Sequence, residues 1–424
     1  MDRIVDQRAA LIARYTSVRA QTEALAAPLS PEDQQLQSMP DCSPTKWHRA
    51  HTTWFFETFL LAPRGTPPFD PHYGYLFNSY YEAVGLRHER PKRGLLSRPS
   101  CDEIAAYRRH VDARMIEWLN RCSHAEIANV TPLIELGLAH EEQHQELLLT
   151  DILNAFAANR LCPVYRAPRA DHASSASGST PLRWTEYAGG LVDIGTQGRG
   201  FAFDNEGPRH KVWLQPYALA TRLVTVGEVK AFIRDGGYGT PSLWLSDGLA
   251  WVRENRFEAP LYARLEGDAY VVFGLEGERE AADGEAAAHL SFYEADAIAT
   301  WLGARLPTEQ EWENAAVSAG PAAFKGARLL DDGFLRAGAA DANGKQPLFG
   351  GLWQWTRSAY EPYPGFVPPP GAIGEYNGKF MANQYVLRGG SFATPAAHIR
   401  ATYRNFWYPA TRFQFTGVRL AKNV

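Results

Sequence analysis

The chain has 424 residues, of which 45% are hydrophobic and 21% are charged, as in globular proteins with more than one core. The formal net charge of −4 and the isoelectric point near 6.3 argue against a general nucleic-acid-binding protein. No apolar run reaches the ~18 residues of a membrane span, and no secretory signal pattern opens the chain. Four dispersed cysteines without a Cys-x-x-Cys pair indicate a reducing compartment. We therefore expect a cytoplasmic protein that binds neither nucleic acid nor membranes; its oligomeric state is left open.

The first 160 residues have the pattern of four helices. Apolar residues recur at spacings of three and four, and cap residues or prolines stand near the expected ends. The expected helices cover Ile4–Leu25, His48–Leu61, Ser100–Trp118 and Leu133–Phe156. A long connection, Ala62–Pro99, separates the second helix from the third. This order predicts a four-helix bundle with one crossover and a site between facing helices.

Two histidines on the expected fourth helix are candidate metal ligands. His140 and His144 are four residues apart in a run without glycine or proline, so both side chains lie on one face. On the second helix, His48 and His51 offer a third imidazole. Three neutral nitrogen ligands with open positions suit catalytic zinc or iron. The spacing alone also fits two histidines that bind no metal.

The letters His-Glu-Glu-Gln-His also resemble the zinc-protease motif His-Glu-x-x-His. Glu141 occupies the position of the general base in that motif. From the residues alone, a zinc hydrolase is therefore an alternative. A further alternative is a binding module that holds a ligand without any metal.

The crossover is too aromatic to be disordered and carries polar groups suited to a site. Tyr80 and Tyr81 supply phenol hydroxyls. Arg87 and Arg90 supply forked donors that match a carboxylate, although a packed loop with solvated arginines fits the same letters.

The second half changes character. Residues 161–181 are rich in Ala, Ser, Gly and Pro and predict a linker. Beyond them, short β-like runs separated by Gly, Asn and Pro alternate with a few capped helices. The fold class is therefore α + (α+β), with a bundle over 1–160, a linker over 161–181 and an irregular α+β domain over 182–424.

Several blocks of the second half resemble the formylglycine-generating-enzyme-like (sulfatase-modifying factor) fold, a C-type-lectin-like domain. The blocks are Arg305–Ala316, Gly351–Thr356, Leu387–Ser391 and Gly417–Leu420. Residues 163–424 contain no cysteine, and formylglycine-generating enzymes rely on a cysteine pair, so that activity is not expected.

The first half, with its Trp-x-x-x-His51 helix and its His140/His144 helix, resembles a DinB-like four-helix bundle. The fusion of the two domains resembles the EgtB-type sulfoxide synthases of ergothioneine biosynthesis, which are iron(II)-dependent. That resemblance implies a dioxygen-consuming reaction between the imidazole C2 of hercynine (trimethylhistidine) and a cysteine sulfur, which becomes a sulfoxide.

The resemblance also implies roles for particular residues. His51, His140 and His144 would bind Fe(II), while His48 is left as a neighbour or a core histidine. Gln143 would contact hercynine and Asn405 its carboxylate side. Phe406 and Trp407 would face its quaternary ammonium, which favours aromatic faces, although ordinary core packing also fits these two rings.

The sulfur donor implied by the resemblance is cysteine or γ-glutamylcysteine. Arg87 and Arg90 would hold its carboxylate, and Arg412 could meet a second one. The Tyr80–Tyr81 pair resembles that of the subtype that uses free cysteine. Either hydroxyl would donate a proton or a hydrogen bond to a reduced oxygen species. Phe392 stands where relatives tend to have cysteine. A selenoneine synthase, which uses a selenosugar, remains an alternative on the same scaffold.

Overall fold

The computed structural model of the chain describes residues 2–168 and 180–424. It divides into two compact units. The bundle unit comprises Met1–Arg160 together with Pro369–Tyr376, and the second unit comprises Leu161–Pro368 together with Asn377–Val424.

The predicted linker, 161–181, lies largely outside the described residues, which omit 169–179. Its first part clusters with the second unit. Tyr165 is buried there, and its backbone N–H donates to the carbonyl of Leu275 at 3.0 Å.

Four long helices form the bundle unit, and a short one lies in the crossover. They are α1 (Asp2–Ala26), α2 (Thr45–Phe56), α3 (Tyr73–Phe77), α4 (Cys101–Arg121) and α5 (His124–Ala157). The chain continues from α2 into a π-helical turn, Glu57–Leu61. The helices α1 and α2 pack against both α4 and α5, which confirms the predicted helical bundle.

Helix α5 begins at His124, not at Leu133 as the pattern predicted. Ser123 and Glu126 form a capping box that starts the helix earlier. Pro132 then lies inside the helix, where it removes one backbone donor. Burial of Val130 and Ile134 on either side keeps this stretch helical, so tertiary packing overrides the local signal.

The helices α2 and α5 approach closely at Gly137. A Cβ atom at this position would lie 2.8 Å from the Cε1 atoms of both Phe55 and Phe56. Because real Cβ contacts are longer than this, a larger residue would push the helices apart. Gly137 precedes His140 by about one turn, so the close approach occurs beside the candidate metal ligands.

The second unit is the predicted α+β domain. Its helices are α6 (Val226–Arg234), α7 (Ser246–Asn255), α8 (Phe292–Trp301) and α9 (Glu309–Ala319). Its strands are β1 (Trp184–Tyr187), β2 (Gly190–Ile194), β3 (His210–Leu214), β4 (Tyr217–Leu223), β5 (Ala263–Glu266), β6 (Ala269–Gly274), β7 (Gly277–Glu280), β8 (Trp353–Ala359), β9 (Tyr385–Arg388), β10 (Asn405–Trp407), β11 (Thr416–Gly417) and β12 (Arg419–Asn423). They form small sheets in the orders β10-β9-β8-β11, β1-β4-β12, β5-β6-β7 and β2-β3.

Three of the signature blocks meet at one buried glutamine. Gln354 Oε1 accepts hydrogen bonds from Trp312 Nε1 and Arg419 Nε, both at 2.8 Å. All three side chains are buried, and an amide oxygen there needs such partners. These residues of the signature blocks therefore have a structural role, since they form hydrogen bonds in the core of the domain. Within the described residues, no helix has the length and apolar character needed to cross a membrane.

Candidate metal centre

Helices α2 and α5 bring three histidines together inside the bundle unit. Candidate ligand nitrogens of His51, His140 and His144 all lie within 4.8 Å of one another. The Nε2 atoms of His51 and His140 are 3.1 Å apart. Two nitrogens at right angles on a metal with bonds of about 2.1 Å would be about 3.0 Å apart. The spacing therefore fits a divalent metal held by three imidazoles.

The three imidazoles are neutral in the apoprotein. Burial lowers the pKa of His140 to about 3. Burial and the neighbouring imidazoles hold the pKa values of His51 and His144 well below the usual range. Since metals bind the neutral imidazole, all three rings are ready to coordinate near pH 7. His144 is the least buried of the three.

The crossover fixes the orientation of His51. Its Nδ1–H donates to the carbonyl of Phe77 at 2.6 Å, so the lone pair is on Nε2. The indole Nε1 of Trp47 donates to the preceding carbonyl, Leu76, at 3.1 Å. These carbonyls belong to the last turn of α3, where carbonyls have no partner within the helix. The His51 ring also stacks on Trp47 (4.6 Å between centroids) and Trp54 (5.5 Å).

The alternative of a zinc hydrolase with Glu141 as its catalytic base is wrong. Its carboxylate is fully buried and accepts hydrogen bonds from Arg19 (2.8 Å) and Arg108 (2.9 Å). The Thr22 hydroxyl adds a third bond at 2.6 Å. Burial alone would raise its pKa, but the two guanidinium groups outweigh burial and set the pKa at about 2. A carboxylate committed to three donors cannot take a proton from a metal-bound water.

Gln143 contacts a tyrosine that the sequence analysis did not select. The Tyr376 hydroxyl donates to Gln143 Oε1, and its ring lies edge-on to His140 at 5.7 Å between centroids. The segment Pro369–Tyr376 is anchored to the crossover through Glu375. The carboxylate of Glu375 accepts the backbone N–H groups of Glu82 (3.0 Å) and Ala83 (2.9 Å). No local signal marks Tyr376, because its partner lies more than two hundred residues away in sequence.

Tyr80 and Tyr81 of the crossover contact Tyr376 and Trp54, respectively. Their rings stack at 4.6 Å, and the Tyr80 hydroxyl donates to that of Tyr81 at 3.5 Å. Tyr81 is buried against Trp54 at 5.7 Å between centroids, and Tyr80 lies 6.3 Å from Tyr376. Burial, and next the neighbouring Tyr80, raise the pKa of Tyr81 well above its usual value, so this phenol stays protonated.

The predicted arginines of the crossover are partly occupied by protein groups. Arg87 pairs with the carboxylate of Glu82, and Arg90 donates to the carbonyl of Asp41. Arg93, which the sequence analysis missed, is buried. Its guanidinium lies 3.4 Å from the centroid of the Trp47 ring, and its Nε has no partner among the described residues. Arg93 thus adds an unused donor beside the tryptophan that stacks on His51.

The remaining predicted site residues lie in the second unit. Asn405 Oδ1 accepts the backbone N–H of Phe406 at 2.9 Å, and the Phe406 ring stacks on Tyr360 at 4.0 Å. Trp407 packs edge-on against Phe413 at 5.3 Å. All three predicted residues are half-buried on β10.

Arg412 is buried among groups of its own unit. It donates to the carbonyl of Ala259 at 2.5 Å and lies 3.4 Å from a carboxylate oxygen of Glu294. Its guanidinium also lies over the Phe257 ring at 4.1 Å. Its Nη1 atom has no hydrogen-bond partner among the described residues, so one buried donor of Arg412 is not accounted for by these contacts. Phe392 packs on Phe415 at 4.4 Å, as a core aromatic residue does.

Comparisons with known families match both halves of the chain. Residues 14–148 match the model of the DinB superfamily. Residues 186–345 and 338–424 match the model described as a sulfatase-modifying factor enzyme 1-like domain. The two domain resemblances noted in the first and second halves of the sequence are thereby confirmed.

Curated relatives extend over nearly the whole length. The hercynine oxygenase of Mycobacterium tuberculosis is 32% identical over 410 residues, which cover 91% of this chain and 92% of the relative. The hercynine oxygenase of Mycolicibacterium smegmatis is 31% identical over 415 residues, covering 92% of this chain and 93% of the relative. Ergothioneine biosynthesis protein 1 of Schizosaccharomyces pombe is 27% identical over 235 residues, covering 53% of this chain and 28% of that protein.

Proposed function

This chain belongs to the hercynine oxygenase family of ergothioneine biosynthesis, and we propose that its three-histidine centre binds iron(II) and forms a hercynylcysteine sulfoxide. In this reaction the C2–H bond of hercynine and the S–H bond of the donor break, and the C–S and S–O bonds form. Dioxygen is reduced, with one oxygen atom entering the sulfoxide and the other leaving as water. The observation that carries the proposal is the cluster of three neutral histidines beside Gln143.

Iron(II), when bound, would supply the redox chemistry between thiol, imidazole and dioxygen. Three imidazoles fill only part of the coordination sphere of iron, which suits a centre that must also admit substrates. The chain contributes His51, His140 and His144 as ligands. The hydrogen bond of His51 to Phe77 and its stacking on two tryptophans hold one of these ligands in place.

For hercynine, we propose Gln143 and Asn405 as polar contacts. The hydroxyl of Tyr376 fixes the side chain of Gln143, which supports an orienting role. Phe406 and Trp407 would meet the trimethylammonium group, since a cation over an aromatic face gains roughly 0.5–2 kcal/mol. Arg412 is kept as a candidate contact for a second carboxylate, since its Nη1 has no hydrogen-bond partner among the described residues.

For the sulfur donor, we propose free cysteine held through its carboxylate by Arg87 and Arg90, with Arg93 as a further donor. Guanidinium groups match carboxylates in geometry and charge. A selenosugar offers no carboxylate, so a cluster of arginines on the crossover favours an amino-acid donor over it.

For proton transfer, we propose the hydroxyl groups of Tyr80, Tyr81 and Tyr376. A general acid must stay protonated until it acts, and the raised pKa of Tyr81 meets that requirement. The Tyr376 ring lies edge-on to the proposed ligand His140, with 5.7 Å between the ring centroids.

The test is anaerobic loading with iron(II), addition of hercynine with cysteine, γ-glutamylcysteine or a selenosugar, exposure to air, and mass spectrometry. We expect iron-dependent formation of the cysteine sulfoxide conjugate. Equal turnover of unmodified histidine would contradict recognition of the trimethylammonium group. Conversion of the selenosugar instead of cysteine would contradict the proposed donor.

The same assay tests the tyrosines. Loss of the general acid should lower the rate of sulfoxide formation by about a hundredfold or more, so Tyr81→Phe or Tyr376→Phe should show such a loss. The control is Tyr75→Phe, since Tyr75 lies on the same crossover but is 46% exposed. Full activity in Tyr80→Phe, Tyr81→Phe and Tyr376→Phe alike would contradict the assignment.

A further inference from the structure

His48 is buried beside the three-histidine cluster without belonging to it. Only 2% of its surface is exposed, and its two ring nitrogens face different partners. His48 Nδ1 lies 2.8 Å from Nδ1 of His144, and His48 Nε2 lies 3.0 Å from Oδ2 of Asp151. His48 therefore links a candidate metal ligand to a buried carboxylate.

The carboxylate determines how the protons are arranged along this chain of groups. Oδ2 of Asp151 already accepts the backbone N–H of Ser43, so it acts as an acceptor toward His48 as well, and the proton of His48 lies on Nε2. In the tautomer with a single proton on Nε2, His48 accepts at Nδ1, and His144 donates from its own Nδ1. The lone pair of His144 is thereby left on Nε2, the nitrogen free for a metal.

Asp151 is itself held in place. It is 6% exposed, and its Oδ2 also accepts the backbone N–H of Ser43 at 2.7 Å, just before the start of α2. Asp151 lies seven residues after His144 on α5, which is two turns along the same face. We call the hydrogen-bonded series His144–His48–Asp151 the relay. It joins α2 and α5, the two helices that carry the candidate ligands.

The three candidate ligands differ in what their outer nitrogens meet. His51 donates to the neutral carbonyl of Phe77. His140 Nδ1 has no hydrogen-bond partner among the described residues. Among the described residues, His144 is the one of the three that hydrogen bonds connect, through His48, to a carboxylate. An imidazole that donates toward a carboxylate becomes a stronger ligand.

We propose that His48 and Asp151 are positioning residues that fix the tautomer of His144 and make it the strongest electron donor of the metal centre. This inference rests on the proposed function, because it requires the three-histidine site to bind a metal. A stronger donor favours the higher oxidation state of iron, so the relay should lower the Fe(III)/Fe(II) reduction potential.

The test measures iron(II) affinity by anaerobic equilibrium dialysis and the reduction potential of the loaded protein. His48→Phe removes both hydrogen bonds and should weaken iron(II) binding about 10–100-fold and raise the potential. In His48→Gln the amide oxygen can still accept the proton of His144, while an amide N–H replaces the imidazole N–H as the donor to the carboxylate. Asp151→Asn keeps the shape and removes the charge. His48→Gln and Asp151→Asn should each give an iron(II) affinity and a reduction potential between those of the wild type and of His48→Phe. Such partial rescue by a conservative substitution is what a positioning role predicts.

The matched controls come from a second histidine–aspartate pair in the same unit. His72 Nδ1 lies 2.9 Å from Asp70 Oδ1 on the exposed surface, away from the cluster. His72→Phe and Asp70→Asn should leave both the iron affinity and the potential unchanged. Far-ultraviolet circular dichroism of each apoprotein shows whether its helices remain intact.

A further variant, His144→Ala, separates failure of the relay from failure of the site. If His144→Ala loses iron while Asp151→Asn and His48→Gln match the wild type in affinity and potential, the relay is refuted and the centre stands. If His144→Ala binds iron as tightly as the wild type, the metal centre itself is refuted, and the relay with it.

Discussion

At the scale of single residues, neighbouring positions on α5 have opposite roles. His140 faces the other histidines, while Glu141, one residue later, points to Arg19 and Arg108. Consecutive residues on a helix are about 100° apart, so the two side chains face different partners. The spacing of His140 and His144 was readable from the sequence. The role of Glu141 was not, because its partners come from α1 and α4.

The first prediction concerns this buried carboxylate. Glu141→Gln should lower the free energy of unfolding by about 3 kcal/mol, since it removes the buried counter-charge that Arg19 and Arg108 share. Each guanidinium keeps one more exposed partner, Asp112 for Arg19 and Glu23 for Arg108. The number of metal ions bound should stay the same. Chemical denaturation and metal analysis measure the two quantities. The control is Glu135→Gln, which is also on α5 and alters a more exposed ion pair with Arg14 of α1. It should lower the free energy of unfolding by less than about 1 kcal/mol.

The pH dependence of stability follows from the same group. The pKa of Glu141 is about 2 in the folded protein and 4.5 for an ordinary glutamate, so its contribution is present above pH 4.5. It is lost progressively as the pH falls from about 4.5 toward 2. Glu141→Gln should therefore flatten the fall in stability over this range. An unchanged profile in the variant would show that the ion pairs do not stabilise the fold.

At the scale of elements, the helices were predictable and their close approach was not. Apolar periodicity and caps identified the bundle helices, but the predicted start of α5, Leu133, was too late. The helix continues through Pro132 because burial of its neighbours outweighs the lost hydrogen bond. His144 and Asp151 are seven residues apart on one face of α5, and both contact His48 of α2. Their spacing is a signal from which the relay could have been predicted. Arg93 carried no such signal, since only packing on Trp47 distinguishes it.

A separate prediction concerns the contact between α2 and α5. Gly137→Ala should lower the free energy of unfolding by about 1–3 kcal/mol, because the added methyl group overlaps Phe55 and Phe56. It should also weaken iron(II) binding by separating His51 from His140. Thermal unfolding and equilibrium dialysis measure these effects.

The control for that variant is Gly74→Ala on α3. A Cβ at Gly74 would meet nothing within 4 Å, so the gain in helix propensity should leave stability equal or up to ~1 kcal/mol higher. If Gly137→Ala behaved like Gly74→Ala, the close approach of the two helices would not position the ligands.

At the scale of the whole molecule, the predicted two-part fold is confirmed, and one feature was beyond sequence reasoning. The segment Pro369–Tyr376 comes from the second half of the chain but belongs to the bundle unit. Its anchors, Glu375 and Tyr376, pair with residues hundreds of positions earlier. Periodicity and caps report only local order, so such pairings cannot be read from them. The signature blocks identified the domain because their residues meet in its core, at Gln354.

The most direct measurement of the central claim is the iron(II) bound per chain under anaerobic dialysis. The chain has 12 histidines, and the account assigns the metal to three of them. We expect one equivalent in the wild type and in His110→Ala, and a large loss of affinity in His51→Ala, His140→Ala and His144→Ala. One tightly bound equivalent in any of those three variants would contradict a shared centre.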